Sequence, residues 1–314
     1  MLENGKVHNF AHACGMMEKD TDIRRNFSEK GKRKMETWRF VHTGNRIPAE
    51  NMAIDEAILT AHSEGKVPPT ARFYGWKPAT LSIGYFQKAE KEIHFDRVRE
   101  ENIGFVRRPT GGRAVLHDQE LTYSLIVSEK HPGIPASVTE AYRVLSEGLL
   151  LGFRKLGLAA EMVNLATEEE KQKYTSLGSA ACFDSPSWYE LVVEGRKVAG
   201  SAQVRNKGVV LQHGSILLEL DADLLFSLLK FSNERIRERM KQSFLQKAVA
   251  INDIMRSLGR KEVNLSDVEL AFKEGVREGL QVELQDSGLT PYEEELAAKL
   301  VKEKYGTEEW NKRR

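Results

Sequence analysis

The chain has 314 residues, 40% hydrophobic and 30% charged, with 47 Lys plus Arg against 46 Asp plus Glu. That composition supports a globular core and supplies no overall field to gather nucleic acid or an anionic membrane. Its two cysteines, Cys14 and Cys182, make no disulfide framework; no Cys/His spacing fits a zinc site, and no apolar run approaches the roughly 20 residues of a bilayer span.

Residues 1–34 are polar and irregular and end in Glu29-Lys-Gly-Lys-Arg-Lys34. They read as a disordered leader, or as an extension upstream of a start at Met35, and the charged run as a solvated tail. The N-terminus lacks the apolar core of a secretory signal, and a reducing cytoplasm is the expected setting. Residues 38–42 alternate as a strand does. Pro48, tolerated at a first helical position, opens a helix whose Met52, Ile54, Ala57, Ile58 and Ala61 share a face, and Pro68-Pro69 stops it. Short strands with turn signals are expected at 71–74, 80–83, 104–107, 114–116 and 121–127. Ser137-x-x-Glu140 is a capping box at the head of a helix with Leu145, Leu149 and Phe153 on its apolar face, closed by Gly157. Residues 188–193 and 197–204 read as a hairpin turning at Glu194-Gly195, and 209–218 as a further strand. From Asp221 onward the pattern is helical, with caps expected at Ser266-x-x-Glu269 and Thr290-Pro-Tyr-Glu293. Strands in the middle and helices after them predict an α+β class, a central mixed or antiparallel sheet flanked by helices.

Two constellations carry chemistry. The first is Arg107-Arg-Pro-Thr-Gly-Gly-Arg-Ala-Val-Leu-His-Asp118. Gly111 and Gly112 let the backbone turn tightly and approach a ligand, Arg107, Arg108 and Arg113 bring donors, and His117-Asp118 closes the stretch. His117 is expected to orient the loop, with a general-base role beside Asp118 as the alternative. The second pairs a cysteine in Gly178-Ser-Ala-Ala-Cys182-Phe-Asp-Ser-Pro with Lys197 in Gly195-Arg-Lys-Val-Ala-Gly-Ser-Ala-Gln203. A free thiol with a pKa near ~8.5 is mostly protonated at neutral pH, and a neighbouring ammonium raises its thiolate fraction. Such a thiolate attacks a thioester. Backbone N–H groups near the glycine loop or the cysteine are expected to hold the oxyanion. His213 is expected to pack or hydrogen-bond within a strand, and Cys14 to be incidental.

The first constellation resembles the signature Arg-Arg-x-(Ser/Thr)-Gly-Gly-x-Ala-Val-x-His-Asp of the lipoate ligase and octanoyltransferase catalytic domain, a family related to the biotin ligases. The resemblance continues in Asn51-Met-Ala-Ile-Asp-Glu56, Leu81-Ser-Ile-Gly-Tyr-Phe-Gln87 and the stretch around Lys197. It implies a biotin/lipoate ligase-like catalytic domain over 35–290, followed by a C-terminal helix and tail at 291–314. Arg113 stands where lipoate ligases carry a third glycine, which counts against ligase-type nucleotide binding. The stretch around Cys182 is similar to the LipM-type octanoyltransferases of Gram-positive bacteria. That likeness implies transfer of octanoyl from acyl carrier protein, through a Cys182 thioester, to a lipoyl-domain lysine, chiefly on the glycine cleavage H protein. It implies Cys182 and Lys197 as catalytic residues. It implies a substrate site of Arg107, Arg108, Thr110, Gly111, Gly112, Ala114, His117, Gly178, Ser179, Ala180, Gly200 and Ser201, with no metal, ATP or prosthetic group. No nucleic-acid or membrane partner is expected.

An octanoyl chain offers roughly 5 kcal/mol at ~0.8 kcal/mol per buried CH₂, and Tyr85, Phe86, Val115 and Leu116 are candidate walls. Arg107 and Arg108 are candidates to meet an acidic carrier. The alternatives are an octanoyl-H-protein:dehydrogenase-subunit amidotransferase, an ATP-dependent lipoate ligase, and a lipoyl- or biotin-sensing module. The last would not need Cys182, and a biotin-repressor type would carry a helix-turn-helix before the catalytic region, for which residues 1–34 are too short and too polar.

Overall fold

The computed structural model describes residues 35–165 and 189–314. The chain enters on β1 (Glu36–Arg46), turns into helix α1 (Pro48–Ser63) and returns as β2 (Thr70–Trp76). β3 (Thr80–Ile83), β4 (Gly104–Arg107) and β5 (Val115–His117) form a small sheet of their own, in the order β4-β3-β5. β6 (Glu120–Ser128), helix α2 (Val138–Lys155) and β7 (Ala160–Asn164) follow. After residue 188 come β8 (Tyr189–Val193), β9 (Arg196–Lys197), β10 (Ala199–Asn206) and β11 (Val209–Leu217). Three further helices within 222–257 lead to α3 (Leu265–Gly279), β12 (Val282–Ser287) and α4 (Pro291–Leu300). The main sheet runs β10-β11-β6-β2-β1-β12. Its β1–β2 pair is parallel, and the β2–β6, β6–β11 and β11–β10 pairs are antiparallel. This is the α+β mixed sheet that the element order predicts.

The pleat sorts the two cores. Leu121, Tyr123, Leu125 and Val127 of β6 pack with Leu145, Leu149, Phe153, Phe272 and Val276 of α2 and α3. Ile126, pointing the other way as the period of two requires, packs with Met52, Ile58 and Leu59 of α1 and Ala297 of α4. Each such side chain contributes about 1.5–3 kcal/mol by leaving water. A third cluster joins the small sheet, through Leu81 and Ile83, to Phe226 and Phe244 of the helices after β11.

Helices α2 and α3 touch backbone to backbone. A Cβ on Gly275 would stand 2.4 Å from the Gly148 carbonyl oxygen and 2.5 Å from the Gly152 nitrogen, and one on Gly279 would stand 2.6 Å from the Gly148 nitrogen. The four glycines are therefore the contact surface itself. Phe272 lies across Gly152 and meets Phe153 edge-on at 4.8 Å.

Several local expectations are corrected. The hairpin begun by β8 breaks after Lys197: Val192 pairs with Lys197 and Val193 with Arg196, but Ala199 onward pairs with β11 in the main sheet. The longer partner wins, with register kept from Ala199–Ile216 to Asn206–Val209. Helix α3 starts earlier than Ser266, because Asn264 and Asp267 form the reciprocal box. At the head of α2 only the Ser137 half of the box forms; the Glu140 carboxylate bonds Arg143 and Tyr189 instead. β12 is a strand in a region read as helical, and its charged, exposed sequence suits an edge. Segment 291–314, read as a C-terminal helix and tail, begins with α4. Glu293 of α4 is fully buried and grips Arg39 of β1 through both oxygens at 2.5 and 2.8 Å, and Thr37–Arg314 cluster as one compact unit.

Gly275→Ala tests the helix contact. Alanine favours a helix over glycine by up to ~1 kcal/mol, yet overpacking two fixed backbones costs ~1–3 kcal/mol or more. We expect a net loss of about 2 kcal/mol in urea unfolding; a stabilised variant would show that the helices are free to part.

Candidate active site

Arg107 and Arg108, adjacent on the end of β4, point opposite ways and do different work. The Arg107 guanidinium donates to the carbonyls of Gly84, Tyr85, Gln87, Trp310 and Asn311 at 2.8–3.2 Å. Burial pulls its pKa down to about 10, so it stays charged at neutral pH. Arg108 donates to Ser82 Oγ at 2.8 Å and to the carbonyls of Gly111 and Arg113 at 3.1 and 2.9 Å, stapling the glycine loop closed. Gly112 sits at φ +93°, and the loop lies so close to Gly84 that a Cβ there would stand 2.0 Å from the Gly112 carbonyl oxygen. Both arginines are buried, at 0% and 5% exposure. The expectation that they meet an acidic carrier on the surface is thus corrected: their charges are turned inward onto carbonyls.

Beside this loop is a narrow cleft. β10 and β11 line it with Gly200, Ser201, Ala202, His213, Gly214 and Ser215, and α1 adds Met52. Tyr74 and Trp76 of β2, Val115 and His117 of β5, Thr122 of β6, and Arg108 complete the wall. Gly214 has no room for a side chain, since a Cβ would stand 2.3 Å from the Gly200 carbonyl oxygen. The cleft is mostly apolar with a few polar groups aimed into it, the usual make-up of a small-molecule site.

Two hydroxyl–imidazole–carboxylate chains support those polar groups. In one, His213 lies between Thr110 Oγ1 at 2.7 Å and Asp55 Oδ2 at 3.3 Å. Asp55 also accepts from Arg72 at 2.6 Å, Ser124 at 2.9 Å and Tyr74 at 3.1 Å. Burial pushes the Asp55 carboxyl up, but Arg72 and His213 outweigh it and hold it below the usual range. In the other, His117 lies between Ser82 Oγ and Glu120 Oε1, both at 2.6 Å, and stacks on Trp76 at 4.3 Å. The carboxylate partner of His117 is therefore Glu120, which also accepts from Thr122 and Ser215, and not Asp118, which is exposed. Through Ser82 and Arg108, His117 is tied to the glycine loop.

Lys197 ends β9, three residues before Gly200. It is 4% exposed, and its Nζ lies 2.9 Å and 3.0 Å from the two Glu190 oxygens. Glu190 itself is 1% exposed. A buried ammonium and a buried carboxylate each require the other.

Of the residues expected at a substrate site, Arg108, His117, Gly200 and Ser201 come together around the cleft, and Thr110 buttresses it through His213. Gly111 borders a neighbouring cavity. Gly112 closes the loop, and Arg107 and Ala114 are buried behind it. Cys182, Gly178, Ser179 and Ala180 lie outside the described residues. The four expected acyl-chain walls do not share one slot: Val115 borders the cleft and, with Leu116, a third depression beside Phe244, while Tyr85 and Phe86 border the neighbouring cavity. Sequence reasoning did not find Asp55, Glu120, Glu190 or the place of His213. The available signal was a charged residue inside an apolar pattern, as Asp55 is in Met52-Ala-Ile-Asp and Glu190 in Trp188-Tyr-Glu-Leu-Val.

Comparison with known proteins agrees with this geometry. Residues 47–277 match the model of the lipoyl protein ligase A/B catalytic domain. The chain is 64% identical over 280 residues to the octanoyltransferase LipM of Brevibacillus brevis, covering 89% of this chain and all of that one. It is 59% identical over 279 residues to the octanoyltransferase LipM of Bacillus subtilis, covering 89% and 99%. Among solved structures, a bi-partite lipoate protein ligase from Thermoplasma acidophilum superposes with a TM-score of 0.72 at 28% identity, covering 88% of this chain and 96% of that one. A lipoate-protein ligase A bound with ATP superposes at 0.69 and 28%, covering 88% and 99%.

The His213 environment sets a pH dependence. Burial holds its pKa below 6.5, against the opposing pull of Asp55, while Arg108 and His117 push the same way as burial. An unfolded chain therefore takes up this proton at a higher pH than the folded one. The stability is present above about pH 6.5 and is lost on acidification through the folded pKa, by at most ~1.4 kcal/mol per pH unit. The slope of unfolding free energy against pH between 7 and 5, measured in urea, is expected to flatten in His213→Gln.

Proposed function

We infer that this chain, which belongs to the lipoyl protein ligase A/B catalytic-domain family, moves octanoyl from acyl carrier protein to the lysine of a lipoyl domain through a thioester on Cys182. It is an acyltransferase, an octanoyltransferase of lipoate biosynthesis. The observation that carries the rest is Lys197 held as a buried pair with Glu190 at the strand end leading into Gly200 and Ser201 of the cleft. A buried lysine at that position suits a thiol that must ionise.

The proposed cycle balances. The Cys182 thiolate attacks the octanoyl thioester carbonyl, and the carbon–sulfur bond to the carrier breaks. The departing thiolate takes a proton from the Lys197 ammonium. The neutral amine of the acceptor lysine then attacks octanoyl-Cys182, the thiolate of Cys182 leaves, and neutral Lys197 takes the proton shed by the new amide nitrogen. Lys197 and Cys182 end as they began. Glu190 holds the Lys197 side chain in place, and Arg108 with His117 keeps the glycine loop in place beside the reacting carbonyl. The apolar cleft walls are suited to hold the octanoyl chain.

The acceptor is proposed as a lipoyl domain, with the glycine cleavage H protein as the first candidate. The Thermoplasma ligase was described together with its E2 lipoyl domain. Lipoate–ATP ligation is the weaker reading, since the ligase structures share 28% of residues where the octanoyltransferases share 54–64%. Arg113 in the third glycine place points the same way.

Mixing the protein with octanoyl-acyl carrier protein and recording intact mass tests the reading. One added octanoyl group is expected on the wild type and none on Cys182→Ala; the same adduct on both would overturn it. Octanoylated H protein without carrier serves as the donor control, and labelling from that donor alone would make the protein an amidotransferase. Lys197→Met is expected to slow adduct formation by about 100-fold or more. The double variant Glu190→Gln/Lys197→Met separates lost chemistry from the cost of a stranded buried carboxylate.

A further inference from the structure

A second cavity, open to solvent, lies beside the cleft along the same elements. β10 lines the cleft up to Ala202 and the cavity from Gln203 on. α1 lines the cleft with Met52 and the cavity with Glu56, one turn further. Arg108 borders the first, and the next residue, Pro109, borders the second.

The rim of this cavity is aromatic and cationic. The Arg313 guanidinium lies 3.9 Å from the centre of the Tyr85 ring and 4.1 Å from that of Trp310. Arg314 lies 5.3 Å from the ring of Phe86, which is 68% exposed. The other cations at the cavity are engaged: Lys304 with Glu56 at 2.5 Å, Arg205 with the carbonyls of Ala136 and Pro135 at 2.7 and 3.2 Å. Among the described residues no carboxylate pairs with Arg313 or Arg314; both lie against Tyr85, whose phenol they pull down in pKa by hydrogen bond and charge, and a phosphate or carboxylate is the partner that satisfies a guanidinium fork.

Charge decides between the two macromolecules of the proposed reaction. The acceptor presents a lysine, a cation until it is deprotonated. The donor presents its thioester at the end of a slender pantetheine arm that is joined to the carrier through a phosphodiester. A cation-rimmed aromatic trough leading to the cleft repels the first and attracts the second. Building on the transferase reading above, we propose that this cavity receives the phosphopantetheine arm of the acyl donor, with the phosphate on Arg313 and Arg314 and the thioester delivered past the glycine loop into the cleft. The acceptor then reaches the acyl group from elsewhere, so the two arms need not compete for one entrance.

The test compares two small donors, octanoyl-4′-phosphopantetheine and octanoyl-pantetheine, in transfer to a lipoyl domain by the full chain. Wild type is expected to favour the phosphorylated donor in kcat/KM by about tenfold at low salt, and that preference should shrink at high salt. Arg313→Gln/Arg314→Gln should favour it by less than about twofold. Equal use of the two donors by wild type, or an undiminished preference in the double variant, overturns the proposal. A salt-insensitive preference overturns it as well, and that arm needs no variant to fold. Failure of the wild type to take octanoyl from any pantetheine donor, while it takes octanoyl from H protein, is a separate result that removes the donor assignment itself.

Discussion

The Asp55 carboxylate, fully buried between α1 and the main sheet, is the constraint from which the site follows. An isolated carboxylate there would cost several kcal/mol, so its surroundings are fixed by what it needs. Arg72 supplies charge, Tyr74 and Ser124 supply hydroxyls, and His213 supplies a ring nitrogen. These come from β2, β6 and β11, three neighbouring strands. One carboxylate thereby locks α1 onto the sheet in a single register, holds His213 against Thr110, and so ties the glycine loop to the sheet. Slipping any one strand by a residue would turn its partner to the other face and strand a charge.

The small sheet is held to the rest by a different device. Arg107 reaches five carbonyls from two distant stretches, 84–87 and 310–311. It stays charged in spite of burial, and charge-assisted bonds to carbonyls are stronger than neutral ones. Arg108, one residue on, closes the loop. A single dipeptide at a strand end thus organises the loop on one side and its scaffold on the other, which is why a signature that looks like an anion-binding motif can be almost wholly structural in its first arginine.

Much of this was legible in the sequence. The 3.6 period from Met52 to Ala61 and the alternation through 121–127 located α1 and β6, and the glycine pair located the loop. What could not be read was which strand pairs with which. The break of the hairpin after Lys197 depends on β11 offering β10 a longer partner, and β12 exists only because β1 has a free edge. Polar pairs across long separations were equally hidden: nothing local in Glu293 distinguishes a buried carboxylate from a solvated one until Arg39, 254 residues away, has been brought to it by the fold. Glu190 and Glu120 meet partners close in sequence, Lys197 and His117, but only the fold buries each pair. Residue type gave the kind of chemistry; partnership, which sets the charge state, came only from three dimensions.

The cage around Arg107 has a temporal side. Trp310 and Asn311 leave the ribosome some two hundred residues after the strand whose arginine they enclose. Until they arrive, that guanidinium lacks two of its acceptors, and the sheet carrying the loop is held from one flank only. Folding of a nascent domain proceeds from its N-terminal side as the chain emerges, so the core between α2 and the sheet can form while the loop is still loosely held. A partly made polypeptide would thus hold a folded body with an unfinished mouth, and a reactive site would take shape only after residue 311 has been made.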